Sequence, residues 1–214
     1  HKPFSVIADA LARAGVASLR ADDPGAGEAT GDFSESTMAT HLADARALVA
    51  AVRQRDDVSS VGVIGHSEGG MTAVRLANEL DFVVSLAGPT VTFAEFYPEQ
   101  LQRATQLSGV DSTAAAMYGA AVNAALQPLM DAPNAPEDVV RPLMDSAFNE
   151  GLVDIPMRDR QQMGLAGPAY QQVKAQFLDF LLSPGVRSWI AYDPAEDLAA
   201  LNVPTLALFG GKDF

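Results

Sequence analysis

The chain has 214 residues, 14 of them Lys or Arg and 27 Asp or Glu, for a net charge of −13 and a pI near 4.4. So acidic a surface repels phosphate backbones and anionic headgroups, which sets nucleic-acid binding and adhesion to an anionic membrane aside. The absence of Cys removes disulfides, cysteine zinc sites and thiol nucleophiles, while 48% hydrophobic and 19% charged residues allow a packed core. No apolar run reaches the ~18 residues of a membrane span.

Residues 5–14 have helical spacing, with Ile7, Leu11 and Ala14 on one face and Gly15 as the stop. The apolar run Val16–Leu19 reads as a buried strand. It breaks into Asp22-Asp23-Pro24-Gly25-Ala26-Gly27, a loop dense in turn formers. Met38–Val52 is a second helix, apolar at Leu42, Ala45, Leu48, Val49 and Val52. Val61-Gly62-Val63-Ile64 reads as the next buried strand, then Gly65-His66-Ser67-Glu68-Gly69-Gly70, then a helix from about Met71 to Leu80. Phe82–Leu86 follows as a strand, ending in Ala87-Gly88-Pro89. Strands that alternate with helices and are apolar on both faces predict a parallel sheet covered by helices.

From Thr92 to Leu182 the pattern is helical only, divided by seven prolines from Pro98 to Pro168. The alternation resumes with Trp189-Ile190-Ala191-Tyr192 as a strand. Asp193 is a good N-cap with Pro194 at the first helical position, opening a helix through Leu201. Val203–Phe209 reads as the last buried strand. The expected organisation is an α/β core over 1–91 and 183–214, interrupted by a helical insertion over 92–182.

Gly65-His66-Ser67-Glu68-Gly69 fits G-x-S-x-G directly after a buried strand and directly before a helix. A nucleophile on such a sharp turn needs small residues two positions to either side, so Gly65 and Gly69 (with Gly70 behind them) let strand and helix approach. The Ser67 hydroxyl then stands at the carboxyl end of the sheet, beside a helix N-terminus that favours developing negative charge. The backbone N–H of Glu68 is the expected oxyanion donor. His66 is expected to be a packed structural histidine pointing away from Ser67, and His41 a solvated residue of the second helix. No metal-ligand spacing occurs, and the chemistry calls for no cofactor.

The series of motifs resembles the α/β-hydrolase superfamily. Within it, the chain is similar to serine hydrolases with a Gly-His-Ser-Glu-Gly-Gly elbow: esterases and aminopeptidase-like or prolyl-oligopeptidase-like enzymes. The matching residues run in order: His1-Lys2-Pro3-Phe4, Leu19 to Gly27, the elbow, Leu86-Ala87-Gly88-Pro89, Tyr192-Asp193-Pro194, and Val203 to Asp213. Pro24 stands where the family loop usually has Arg, and Glu28-Ala29 where it has Lys-Ser; the lost Arg bears on loop stability or specificity, not on the nucleophile.

The resemblance implies that Asp213, in Gly210-Gly211-Lys212-Asp213, is the triad acid, with Glu196 or Asp197 as rivals. It implies a triad histidine after Asp213, where only Phe214 stands, and a second oxyanion donor from a loop before the first helix. His1 precedes that helix with nothing to place it as a base. About four buried strands are legible where the fold has about eight.

With no initiator Met and an abrupt end, the chain reads as a fragment, truncated or completed by a second polypeptide. As a half-sheet with exposed edges it is expected not to fold stably alone; an inactive copy is the other alternative.

Position makes the insertion a cap over the pocket. Its Met117, Tyr118, Met130, Met144, Phe148, Met163, Tyr170, Phe177 and Phe180 are expected more to pack the cap than to line an acyl site. The implied activity is cleavage of a small carboxylic ester through an acyl-enzyme on Ser67, with a short peptide as the alternative substrate. Compartment is left open.

Overall fold

The computed structural model describes residues 3–211. Three strands, β1 (Gly62–His66), β2 (Phe82–Leu86) and β3 (Thr205–Leu208), form a parallel sheet in the order β1-β2-β3. Gly65 pairs with Ser85, His66 with Leu86, and Leu86 with Leu208, which brings the carboxyl ends of all three strands level. Helices α1 (Pro3–Arg13) and α2 (Met38–Arg53) precede the sheet, and α3 (Glu68–Arg75) connects β1 to β2. Between β2 and β3 run α4 (Phe93–Leu107), α5 (Ser112–Asp131), α6 (Glu137–Gly151), α7 (Met157–Gln162), α8 (Tyr170–Leu182), α9 (Pro184–Ile190) and α10 (Ala195–Ala199).

Local chemistry sets many of these boundaries. Thr37 and Thr40 form a reciprocal capping box at the start of α2, as Thr92 and Glu95 do for α4. The Asp111 carboxylate accepts from the N–H groups of Thr113 and Ala114 to open α5. These two bonds also hold its carboxyl below the usual range.

The interior divides into two apolar clusters. One lies at the sheet: Val83 of β2, Ala73 and Val74 of α3, Leu76, Leu80 and Val49 of α2. α3 is buried continuously from Gly70 to Val74 because it packs on both β1 and β2. The larger cluster lies among the helices, around Leu126, Leu129, Met144, Phe148, Leu178 and Leu181. Here α5 and α6 meet at Gly151, where a Cβ would lie 2.6 Å from the Cβ of Ala121. Met144 and Phe148 are fully buried in this cluster, whereas Met130 and Phe180 are 40% and 46% exposed. Among the described residues no helix is long and apolar enough to cross a membrane.

The helix expected over 5–14 forms as α1, with none of its residues buried, and three expectations are corrected. Val16–Leu19 is not a strand: it pairs with nothing, β1 leaves that edge open, and Val16 and Leu19 are exposed. Trp189-Ile190 ends a helix rather than opening a strand, because Ser183 caps α9 through the Val186 N–H and Pro184 occupies its first turn. β3 is shorter than expected and exposed at every residue, with Leu206 and Leu208 about half exposed, since it is an edge strand paired on one side only. Among the described residues the sheet therefore has three strands.

Candidate active site

β1 delivers the chain to Ser67, and α3 leaves from it. Ser67 has φ 54° and ψ −119°, one of two non-glycine residues with positive φ among those described. Such a conformation costs an L-residue on the order of 1–3 kcal/mol and persists only where its surroundings enforce it. The surroundings are explicit. The Ser67 N–H extends the sheet ladder to the Leu86 carbonyl at 2.9 Å. The Ser67 carbonyl accepts from Gly70 N–H at 2.9 Å and Met71 N–H at 3.4 Å. A Cβ on Gly65 would overlap the Gly69 carbonyl and lie 2.6 Å from the Gly70 nitrogen. A Cβ on Gly70 would lie 2.7 Å from Ser85 Oγ and 2.8 Å from Gly88 Cα. Gly69, by contrast, has open space around its Cβ position. The strand-to-helix turn is thus compressed at Gly65 and Gly70.

The second positive-φ residue, Ala87 at φ 49°, lies next to this turn, where its N–H bonds the Leu208 carbonyl at 2.8 Å. Two strained backbones and the close-packed pair Gly70 and Gly88 therefore stand at the carboxyl end of the sheet. Glu68 and Gly69 begin α3, and the first N–H groups of a helix have no partner within it. Those free donors and the helix dipole make the ground beside Ser67 receptive to negative charge.

The Glu68 side chain adds a feature that the sequence reading missed. Its carboxylate accepts from Trp189 Nε1 at 2.9 Å and lies 3.8 Å from His41 Nε2. Trp189 in turn packs edge-on to Phe93 at 5.4 Å and tilted against Phe96 at 6.3 Å. His41 is accordingly not the solvated residue expected: its side chain is 15% exposed, held between Glu68 and the Phe33 ring at 5.9 Å. His66, expected to be packed, is exposed, because it ends an edge strand whose outer side is open. Neither His41 nor His66 hydrogen-bonds Ser67.

Asp213 and His1 lie outside the described residues. Of the rival acids, Asp197 accepts from Tyr192 OH at 2.7 Å and pairs with Arg75 at 3.7 Å, at the far end of α3 from Ser67. Burial first, then the Asp197 hydrogen bond, pushes the Tyr192 phenol well above its usual range. Glu196 sits in the first turn of α10. A cavity of about 70 Å³ lies under α3, lined by Gly70, Met71, Ser85, Gly88 and Tyr192. Another of about 330 Å³ opens among Leu101, Thr105, Tyr118, Gln162 and Met163. Ser67 lines neither. Among the described residues, no three His, Asp or Glu side chains gather as a metal site.

The family profile described as serine aminopeptidase, S33, matches residues 2–122. That span runs from α1 through the elbow into α5, more than half of the chain. The chain belongs to this family of serine hydrolases. Its fold is accordingly that of an α/β-hydrolase, here a small parallel sheet flanked by helices. In S33 terms, the turn at Ser67 falls inside the matched span, and α6 to α10 and β3 fall after it. No curated protein matches the chain.

Proposed function

We propose that this serine hydrolase cleaves small carboxylic esters through an acyl-enzyme on Ser67. The observation that carries the reading is the strained Ser67 backbone, φ 54°, wedged between Gly65 and the first turn of α3. Strain of this kind is kept where a side chain must be presented at one point. In this reading the Ser67 hydroxyl oxygen attacks the ester carbonyl. Its proton passes to an imidazole, which the chain order of this fold puts after Asp213, and Asp213 orients that imidazole. The tetrahedral oxyanion is received by the Glu68 N–H, aided by the α3 dipole. On collapse the imidazolium returns its proton to the leaving oxygen, so the alcohol departs and the acyl-Ser67 ester remains, which water then hydrolyses through the same imidazole. The helices between β2 and β3 act as a cap that limits substrates to small molecules.

The S33 family description favours a second reading, release of an N-terminal amino acid from a short peptide by the same steps. A fluorophosphonate probe on the full-length protein tests the shared part. Labelling confined to Ser67, and lost in Ser67→Ala, supports it; an unlabelled wild-type protein overturns it. Comparing kcat/KM on 4-nitrophenyl acetate or butyrate with that on aminoacyl anilides then decides between ester and peptide.

A further inference from the structure

Glu68 sets a problem for the chemistry just described. Its backbone N–H is the group assigned to the oxyanion, yet its own carboxylate is attached to the same residue. Free carboxylates in the first turn of a helix are drawn to the unpartnered N–H groups there. A Glu68 side chain folded back onto its helix N-terminus would occupy or repel the oxyanion position. In the structure it does not fold back. Its carboxylate is instead engaged by the indole N–H of Trp189 at 2.9 Å and comes within 3.8 Å of His41 Nε2.

Trp189 is well placed to hold it. The ring is edge-on to Phe93, which is 2% exposed and itself stacked on Tyr97 at 4.6 Å. Trp189 also closes α9, which Ser183 caps and which Ser188 ties to α2 by accepting from Met38 N–H at 3.0 Å. An indole has two side-chain torsions and one donor, so once the ring is wedged the N–H has one direction. His41 supplies a second polar group facing the carboxylate from α2.

We propose that Trp189 is a positioning residue for the Ser67 reaction: its indole N–H draws the Glu68 carboxylate away from the α3 N-terminus and keeps the oxyanion site free. This rests on the reading of Ser67 as nucleophile. Removing an oxyanion donor outright costs about 100- to 1000-fold in kcat. A carboxylate that competes for the site part of the time costs less, about tenfold.

The test uses Trp189→Phe in the full-length protein. Site-specific replacement of Trp189 by the benzothiophene analogue of tryptophan gives a second variant that loses the N–H and keeps the ring shape. Both are expected to lower kcat on 4-nitrophenyl acetate by about tenfold, with KM within about twofold and fluorophosphonate labelling slowed in parallel. The decisive arm is Glu68→Ala added to Trp189→Phe. With the competing carboxylate gone, kcat rises above that of the single Trp189→Phe variant. A merely structural role for Trp189 gives the opposite, a further loss. The proposal is overturned if both Trp189 variants keep wild-type kcat, if only KM changes, or if the double variant is slower than Trp189→Phe. Wild-type protein that neither labels nor hydrolyses overturns the nucleophile reading and this one with it; active wild type with unaffected variants overturns this one alone.

Discussion

The two glycines that flank Ser67 in the motif are not equivalent, and a pair of alanine substitutions shows it. A Cβ on Gly65 would overlap the Gly69 carbonyl and come 2.6 Å from Gly70 N. The three nearest atoms it meets are all backbone, so no flexible side chain can swing aside to relieve them. Either β1 separates from α3 or the Ser67 turn opens. Overpacking in a tight core costs typically about 1–3 kcal/mol, and a clash confined to backbone belongs at or above the top of that range. At Gly69 no atom lies within 4 Å of the Cβ position, its φ is not positive, and it stands in the first turn of α3. There alanine removes the entropic cost of glycine in a helix, a gain of up to about 1 kcal/mol. At about 2–4 °C per kcal/mol for a chain of this size, Gly65→Ala should lower Tm by about 6–12 °C, while Gly69→Ala leaves it level or slightly raised. Differential scanning calorimetry reads both, with fluorophosphonate labelling in parallel. Equal Tm changes for the two variants, or a Gly65→Ala protein that melts with the wild type, would refute the argument that the turn is compressed at Gly65.

Three further outcomes follow from the helical cluster. Asp145→Ala leaves the Lys174 ammonium, 7% exposed, with Asn149 Oδ1 at 3.2 Å and the Tyr170 ring face at 5.3 Å in place of its 2.7 Å ion pair, and should cost about 3 kcal/mol. Lys174→Met should cost less, about 1 kcal/mol, because the Asp145 side chain is 38% exposed and water can solvate it; equal urea-midpoint losses would contradict this. Burial pushes the Tyr118 phenol up to about 12, against about 10 when unfolded, so between those values the unfolded state sheds a proton that the folded state keeps. The Tyr118 contribution is therefore level below about pH 10 and is lost as pH rises toward 12, so the stability of Tyr118→Phe should fall less steeply over that range in urea titrations. Gly151→Ala should cost about 1–3 kcal/mol by pressing on Ala121 2.6 Å away, and Ala121→Gly in the same chain should recover part of the lost Tm.

How much of this was legible in the sequence depends on the reach of each interaction. The Ser67 turn was legible because its geometry is set within a few residues: a buried strand, Gly65, the serine and a helix start. Trp189-Ile190 was misread because aromatic and β-branched residues favour strands. The signal that decides it, Ser183 followed by Pro184, stood just upstream as an N-cap and a first-turn proline. Val16–Leu19 has the composition of a buried strand, but strand formation needs a partner, and composition does not say whether one is there. The contact between Glu68 and Trp189 spans 121 residues, and no local pattern encodes it. Glu68 was singled out for its N–H alone; its side chain acquires meaning only from the helix that the misread segment forms.

That helix, α9, is where the two apolar clusters communicate. Val186 is buried in the helical cluster, and Arg187 donates to the carbonyls of Pro133 and Ala135, which ties α9 to the loop between α5 and α6. On its other side Ser188 accepts from Met38 N–H at the start of α2, and Trp189 holds Glu68 at the start of α3. Successive residues of one short helix thus contact, in turn, the helical cluster, the loop at its rim, a helix of the sheet and the Ser67 turn. Direct contacts between the sheet strands and α4 to α8 are few, so the placement of those helices against the sheet depends largely on α9. A substitution deep among α5, α6 and α8 reaches Ser67 chiefly by shifting α9. Its effect should therefore pass through the Trp189 ring and register in the fluorescence of Trp189 before it alters the turn itself.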